Sequence, residues 1–172
     1  IEFILANLDK LNSNSFYSDK EMIPEDEVDV WGELSGHACI TVEFIEEHPD
    51  YDWDWYNISR HNPNLTIDFI RKNIDKFSFS EGGGLSTNPN ITLDIIEAFI
   101  DEDWSFFDLS ENPNLTEEFI LKNLDKDWTF SLLVEHKNIS IDFIISHSEL
   151  GRNMSGIYKN PNLTILDVKK LE

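Results

Sequence analysis

Asn112-Pro113-Asn114-Leu115-Thr116 decides the fold, because the chain keeps returning to it. The same turn stands at Asn62-Pro63-Asn64-Leu65-Thr66, Asn88-Pro89-Asn90-Ile91-Thr92 and Asn160-Pro161-Asn162-Leu163-Thr164, with altered copies at His37-Ala38-Cys39-Ile40-Thr41 and His136-Lys137-Asn138-Ile139-Ser140. The hydroxyl residue closing each copy falls at 41, 66, 92, 116, 140 and 164, so the steps are 25, 26, 24, 24 and 24 residues. A fixed period of this size marks a repeat array. In such an array each unit buries its apolar face against its neighbours.

Asn112 to Glu135 serves as the type unit. Asn-Pro begins a turn, because the proline fixes its own φ and biases the residue before it away from helix. Thr116 is the expected N-cap, as are Thr66, Thr92, Ser140 and Thr164, each hydroxyl reaching a free amide of the first turn. The acids two residues on, Glu43, Asp68, Asp94, Glu118 and Asp142, complement the N-terminal helix dipole. The helix is expected to run about eight residues with Phe119, Ile120 and Leu124 on its buried face, matched by Phe69, Ile70, Ile74 and by Ile95, Ile96, Ile100. Asn64, Asn90, Asn114, Asn138 and Asn162 recur two places before each cap. Asparagine tolerates αL and bonds neighbouring backbone through its amide, so these side chains are expected to form a ladder between units.

After the helix comes an aromatic alternation, Trp128-x-Phe130, repeated as Trp53-x-Trp55, Phe77-x-Phe79 and Trp104-x-Phe106. An apolar pair closes the unit: Ile58-Ser59, Leu85-Ser86, Leu109-Ser110 and Leu132-Leu133. The segment is too short for a full helix. A single turn of α or 3₁₀ helix fits it, and a short strand is the alternative raised by the period-two aromatics. The helical turn is favoured, since it places Trp104 and Phe107 on one side. The expected fold is all-α: an α-solenoid of about 24-residue repeats, each one α-helix plus a short α/3₁₀ helical turn.

The pattern Asn-Pro-Asn-Leu-Thr-x-Glu-Phe-Ile, followed by Asn-x-Asp-Lys-x-Trp, resembles the tandem Asn-Pro-Asn-Ile/Leu-Thr repeats of proteins from giant (nucleocytoplasmic large) DNA viruses. Asp52-Trp53-Asp54-Trp55-Tyr56-Asn57-Ile58-Ser59 beside Asn62-Pro63-Asn64-Leu65-Thr66 carries that likeness. The period and turn are also similar to the leucine-rich repeat variant family, whose units alternate α and 3₁₀ helices in a right-handed superhelix. That family usually follows Asn with Thr-Pro-Pro and is less aromatic. The resemblance covers nearly the whole chain except 11–33. It implies a helical solenoid and a viral protein, and it brings no catalytic residues with it.

The chain is expected to be one array. Residues 1–10 match the inside of a repeat, so the array starts mid-unit, as in a segment of a longer protein. Residues 11–33 form an inserted loop with the acidic run Glu25, Asp26, Glu27 and Asp29, from which Trp31-Gly32-Glu33-Leu34-Ser35 rejoins the pattern. Regular repeats occupy 34–133, and 134–172 erode as a capping end should.

The net charge of −21, from 34 acidic and 13 basic residues, repels a phosphate backbone and argues against binding nucleic acid. A single cysteine, Cys39, excludes a disulfide framework. No apolar run approaches a membrane span, and no signal peptide is visible. The Asn-x-Ser/Thr sequons at 57, 64, 90, 114, 138, 153 and 162 mostly belong to the repeat, and are read as capping chemistry in a protein that is not secreted. His37, His61 and His136 precede comparable turns and are expected to be exposed rather than ligands. Neither the acid clusters nor Gly82-Gly83-Gly84 fit a calcium or phosphate loop.

No cofactor, metal or catalytic constellation is expected. The function that fits is a non-catalytic interaction or structural scaffold, a virion or host-interaction component acting in the virion or host cytoplasm. Its partners are expected to be proteins, either viral structural proteins or a basic protein. Candidate contact residues are Trp31, Trp53, Trp55, Trp104 and Trp128, with Glu25, Asp26, Glu27 and Asp29. The alternative is an acidic nucleic-acid mimic or inhibitor of a basic partner.

Overall fold

The computed structural model describes residues 30–80, 82, 84–148 and 155–171. Residues 1–29, with Glu25, Asp26, Glu27 and Asp29, lie outside them. Among the described residues are ten α-helices, three 3₁₀ turns and no strand. The chain divides into two compact units, Ile1–Ser78 and Phe79–Glu172.

The first unit holds α1 (Val30–Ser35), α2 (Val42–Glu47), α3 (Trp55–His61), α4 (Ile67–Lys72) and the 3₁₀ turn Ile74–Lys76. Residues 30–33, expected in the inserted loop, are therefore the start of a helix, and Trp31 is buried there. The second unit begins with the 3₁₀ turn Leu85–Thr87, followed by α5 (Leu93–Ala98), α6 (Phe106–Leu109), α7 (Glu117–Lys122), α8 (Phe130–Leu133) and α9 (Ile141–Ser146). A 3₁₀ turn, Ile157–Lys159, and α10 (Ile165–Leu171) complete it.

The first helix of a repeat begins where the hydroxyl stands. Thr41, Thr66, Thr116 and Ser140 each accept a hydrogen bond from the backbone N–H three residues on, at 3.2, 3.2, 3.3 and 3.1 Å. Thr92 takes the same extended conformation at the head of α5 without a side-chain bond. Each of these helices is six residues long rather than about eight. Asn73 and Asn123 end them, their side-chain amides donating back to the carbonyls of Phe69 and Phe119 at 3.0 and 2.8 Å. The helical phase stops there, so Ile74 and Leu124, expected on the buried face, are exposed. The apolar pairs one turn earlier are buried as expected: Phe69/Ile70, Ile95/Ile96, Phe119/Ile120 and Phe143/Ile144.

The second segment is helical: a single turn in α6 and α8, four residues each, but a seven-residue helix in α3, longer than expected. In α3, α6 and α8 the second aromatic is the first helical residue, and the residue before it is an N-cap in extended conformation (φ −81°, ψ 96° at Asp54; φ −81°, ψ 98° at Ser105; φ −90°, ψ 92° at Thr129). One extended residue between two aromatics produces a period of two without any strand. The last of the four closing pairs is Leu133-Val134, one residue later than expected. Both are fully buried, whereas Leu132 is only partly so.

Within each unit, side-chain bonds tie a turn to the one before it, while Asn90, also expected in the ladder, donates to the side-chain oxygen of Asn88 in its own turn at 3.2 Å. Asn114 donates to the carbonyls of Pro89 and Ile91 (3.4 and 3.0 Å), Asn138 to Pro113 and Leu115 (2.8 and 3.0 Å), and Asn162 to Lys137 and Ile139 (2.8 and 3.1 Å). In the first unit Asn64 does the same to Ala38 and Ile40, at 2.9 Å each. The ladder thus runs from amide to backbone carbonyl. Similar elements also pack one period apart, α1 against α3 and Leu85–Thr87 against α6.

The glycine run shows how the pattern absorbs extra residues. Ser59 and Ser110 donate to the carbonyls of Trp55 and Phe106, four residues back, whereas Ser86 reaches seven back to Phe79, at 2.6 Å. Three residues are looped out while the contact is kept, with Gly82 and Gly84 at positive φ (64° and 35°). The 3₁₀ turn before Phe77 is meanwhile one residue shorter than its counterparts. The net gain of two makes this step 26 residues.

Candidate functional site

The tryptophans proposed for contact are held in place by their own indoles. Trp53, Trp104 and Trp128 donate their ring N–H groups at 2.8 Å to the carbonyls of His48, Phe99 and Asn123, each five residues back. Those acceptors are the C-caps of α2, α5 and α7, and each also accepts the backbone N–H three residues on, at Tyr51, Glu102 and Lys126, so the indole adds a second bond at the helix end. Trp31 meets Trp53 edge-to-face with centroids 5.3 Å apart, and Tyr51 lies 5.3 Å from Trp31. Trp31, Trp53 and Trp104 are buried, and Trp55 and Trp128 half-buried. The five indoles are occupied by packing, and only the edges of Trp55 and Trp128 remain for anything else.

Besides Tyr158, 70% exposed, the described aromatics that face outward are Tyr56 and Phe107, 50% and 62% exposed. Both stand immediately after the second aromatic of a pair, so they hold one equivalent helix position. In the first unit Arg60 covers Tyr56, its guanidinium 5.1 Å from the ring centroid. In the second unit Phe107 shares a hollow with Glu102, Asp103, Trp104, Phe106, Asp125, Lys126 and Asp127. Asp103 accepts from the Ser80 hydroxyl at 2.8 Å. Phe107 does not share a side with Trp104 as expected, because Trp104 precedes α6 and is buried while Phe107 is exposed. Its signal was an apolar residue on the first turn, beside a residue already committed to the core.

Cations already sit on aromatic faces at the matching places. Lys76 Nζ lies 4.4 Å from the Trp55 centroid, and Lys126 Nζ 5.5 Å from that of Phe106. Each lysine comes from the Asn-x-Asp-Lys stretch of the next repeat. A ring beside carboxylates attracts such a cation through its quadrupole, so this surface has the chemistry to hold a lysine or arginine side chain.

The ladder asparagines are half-buried at Asn64 and exposed at Asn90, Asn114, Asn138 and Asn162, whereas the first asparagine of the turn is buried. Asn62, Asn88, Asn112 and Asn160 are almost fully buried. Their side-chain oxygens accept from the backbone N–H two residues on, at 2.8, 2.9, 2.8 and 2.8 Å. At His136 the imidazole takes the same place. Nδ1 accepts from the Asn138 N–H at 3.2 Å, and Nε2 donates to the Asn112 carbonyl at 3.0 Å. His136 is therefore buried, not exposed as expected, whereas His37 and His61 are exposed. Burial pushes its imidazole below the ordinary value; the bond to Asn112 opposes this, and nearby Lys137 adds to it.

A second set of buried groups escaped notice in the sequence. Ser35, Ser86 and Ser110 each accept from the backbone N–H 19 residues on, at Asp54, Ser105 and Thr129, all at 2.9 Å. Among the described residues no three of His, Cys, Asp and Glu are placed to hold one metal ion. No helix of that set is long and apolar enough to cross a membrane.

No protein family, curated protein or solved structure matches the chain.

Proposed function

We propose that the chain is a non-catalytic α-solenoid of about 24-residue repeats that holds a protein partner through a basic segment. Repeated side-chain-to-carbonyl bonds between turns one period apart support the stacking. The observation that carries the partner reading is Phe107, an exposed aromatic in a hollow with Glu102, Asp103, Asp125 and Asp127. A lysine or arginine from a partner would lie on this ring and pair with the rim, as Lys126 lies on Phe106. The resemblance of the Asn-Pro-Asn turn to giant-virus repeats supports a viral scaffold acting in the virion or host cytoplasm.

The buried asparagines and serines recur in repeat after repeat, which is the signature of structure rather than of a single catalytic centre. Immobilised chain and its Phe107→Ser variant, incubated with infected-cell extract and analysed by mass spectrometry, test the reading. A viral or basic host protein kept by the native chain and lost by the variant supports it. Equal retention by both sinks it. The net charge of −21 favours one further reading, a nucleic-acid mimic. Mimicry through charge fades steeply with salt and is indifferent to Phe107.

A further inference from the structure

A second hollow, wholly within the first unit, has the opposite charge balance from the one at Phe107. It measures about 140 Å³, close to the roughly 150 Å³ of an apolar cavity that takes up benzene. Buried Trp53 and Phe69 line it, together with half-buried Tyr51 and the open edge of Trp55. Two lysines and one carboxylate stand in the same lining. Lys72 pairs with that carboxylate, Glu46, at 2.8 Å. Lys76 lies on the Trp55 ring, 4.4 Å from its centroid. It has no carboxylate partner among the described residues.

The same places in the second unit show what sets this hollow apart. Counted from the capping hydroxyls, Glu97, Glu102, Lys122 and Lys126 stand where the first unit has Glu46, Tyr51, Lys72 and Lys76. Lys122 there has two carboxylates, Glu118 at 3.0 Å and Glu97 at 3.8 Å. Glu102 adds a further acid where Tyr51 supplies a ring. In the first unit Asp68, the counterpart of Glu118, bonds Arg71 instead at 3.0 Å. One ammonium group is thus left over at the rim of an aromatic hollow. The net charge of −21 repels anions at long range, but salt at about 0.15 M screens that field beyond about 8 Å, so the contacts within the hollow decide.

We propose that this hollow binds an aromatic carboxylate, with its ring between the aromatic side chains and its anion on Lys76 and Lys72. The ring meets walls that favour stacked or edge-on contact, and the carboxylate accepts charge-assisted hydrogen bonds from the two lysines. Such a group has two sources, a free acid and the end of a peptide with a C-terminal aromatic residue. The site is independent of the partner reading at Phe107.

Phenylacetate and a tetrapeptide ending in phenylalanine present the group from each source, and each is compared with its uncharged amide. The full chain is titrated at about 0.15 M salt, with the Trp55 indole N–H followed by NMR and assigned by its loss in Trp55→Phe. At least one acid is expected to shift this resonance saturably, with a dissociation constant on the order of 1 mM for a ligand of about ten heavy atoms. It should bind about tenfold more tightly than its amide, and the tighter of the two acids identifies the source. Lys76→Gln should weaken the acid about tenfold and leave the amide unchanged. Lys76 is exposed, so its replacement does not open the core. Lys126→Gln, the counterpart in the second unit, should change neither. No saturable shift from either acid overturns the site. Amides that bind as tightly as their acids, or equal losses from Lys76→Gln and Lys126→Gln, overturn it as well.

Discussion

Ser110 shows how much one small side chain settles here. It donates to the Phe106 carbonyl at 2.7 Å and accepts from the Thr129 N–H at 2.9 Å, fully buried between two repeats. Replacing it with alanine orphans the Thr129 N–H in a place water does not reach. The expected cost is about 1–3 kcal/mol, read from urea unfolding of Ser110→Ala. An effect within error would remove the serine from the account of stability. His136 makes a different prediction because it titrates. Its folded pKa is lowered, so between that value and the ordinary one near 6.5 the unfolded chain binds more protons than the folded chain. The stability from the neutral ring is thus complete above about pH 6.5 and is lost as pH falls through the lowered value. His136→Asn restores the residue found at four other turns and has nothing to titrate. The loss of stability between pH 7.5 and 5.5 should be smaller in the variant than in the parent; equal losses would place the pH dependence elsewhere.

At the scale of the element, the tryptophan acts as a C-cap supplied from outside the helix. Trp128→Phe keeps the ring against Phe106 and Phe119 but takes from the Asn123 carbonyl one of its two donors, leaving the Lys126 N–H at 3.2 Å. One lost hydrogen bond predicts about 1 kcal/mol of destabilisation. The chain contains its own control. Where Phe77 stands in this position, the connection is one residue shorter and forms a 3₁₀ turn, with the Lys76 and Phe77 N–H groups bonding the carbonyls of Asn73 and Ile74. Trp128→Phe combined with deletion of Asp127 should therefore be more stable than Trp128→Phe alone, as thermal melts of the two would show. No recovery would mean that the short connection does not substitute for the indole. Gly36 sets a steric limit at the same scale. A Cβ there would stand 2.8 Å from the His61 Cβ and 3.3 Å from the Asn57 carbonyl oxygen. Gly36→Ala should cost about 1–3 kcal/mol, measured by the same unfolding.

These elements also mark what the sequence could and could not tell. Caps and apolar pairs were legible at Thr66, Thr116, Phe119 and Ile120, because their signals are local and repeat. The end of the helix was not. Leu124 keeps the 3.6-residue phase in sequence, but the Asn123 side chain stops the helix first. The serine bridges were hidden because the partner sits 19 residues away, and neither residue type announces a bond. The tryptophans looked like a binding row for the same reason: recurrence signals a role without saying whether the role is packing or contact.

For the whole molecule, the decisive quantity is charge. The chain carries 34 acidic residues against 13 basic, and the ion pairs among the described residues lie on the surface. Lys72 pairs with Glu46 at 2.8 Å, Lys122 with Glu118 at 3.0 Å, and Lys159 with Glu135 at 3.0 Å, with most of these side chains more than half exposed. Exposed pairs contribute little, about 0–1 kcal/mol each, and salt weakens them. Salt also weakens the repulsion among the unpaired carboxylates, which acts at longer range and involves more groups. Raising sodium chloride from about 20 mM to about 300 mM shortens the screening length from about 20 Å to about 6 Å. Short ion pairs at 3 Å survive that change better than repulsion across a repeat spacing of about 10 Å. The net effect should be stabilising, with the thermal midpoint at neutral pH rising by a few degrees over that range. A midpoint that falls with salt would mean that the few surface pairs outweigh the repulsion, and that the excess of acid is not a strain on the fold. The same titration bears on partner binding: an aromatic contact at Phe107 should keep most of its affinity at the higher salt, where attraction through charge alone has faded.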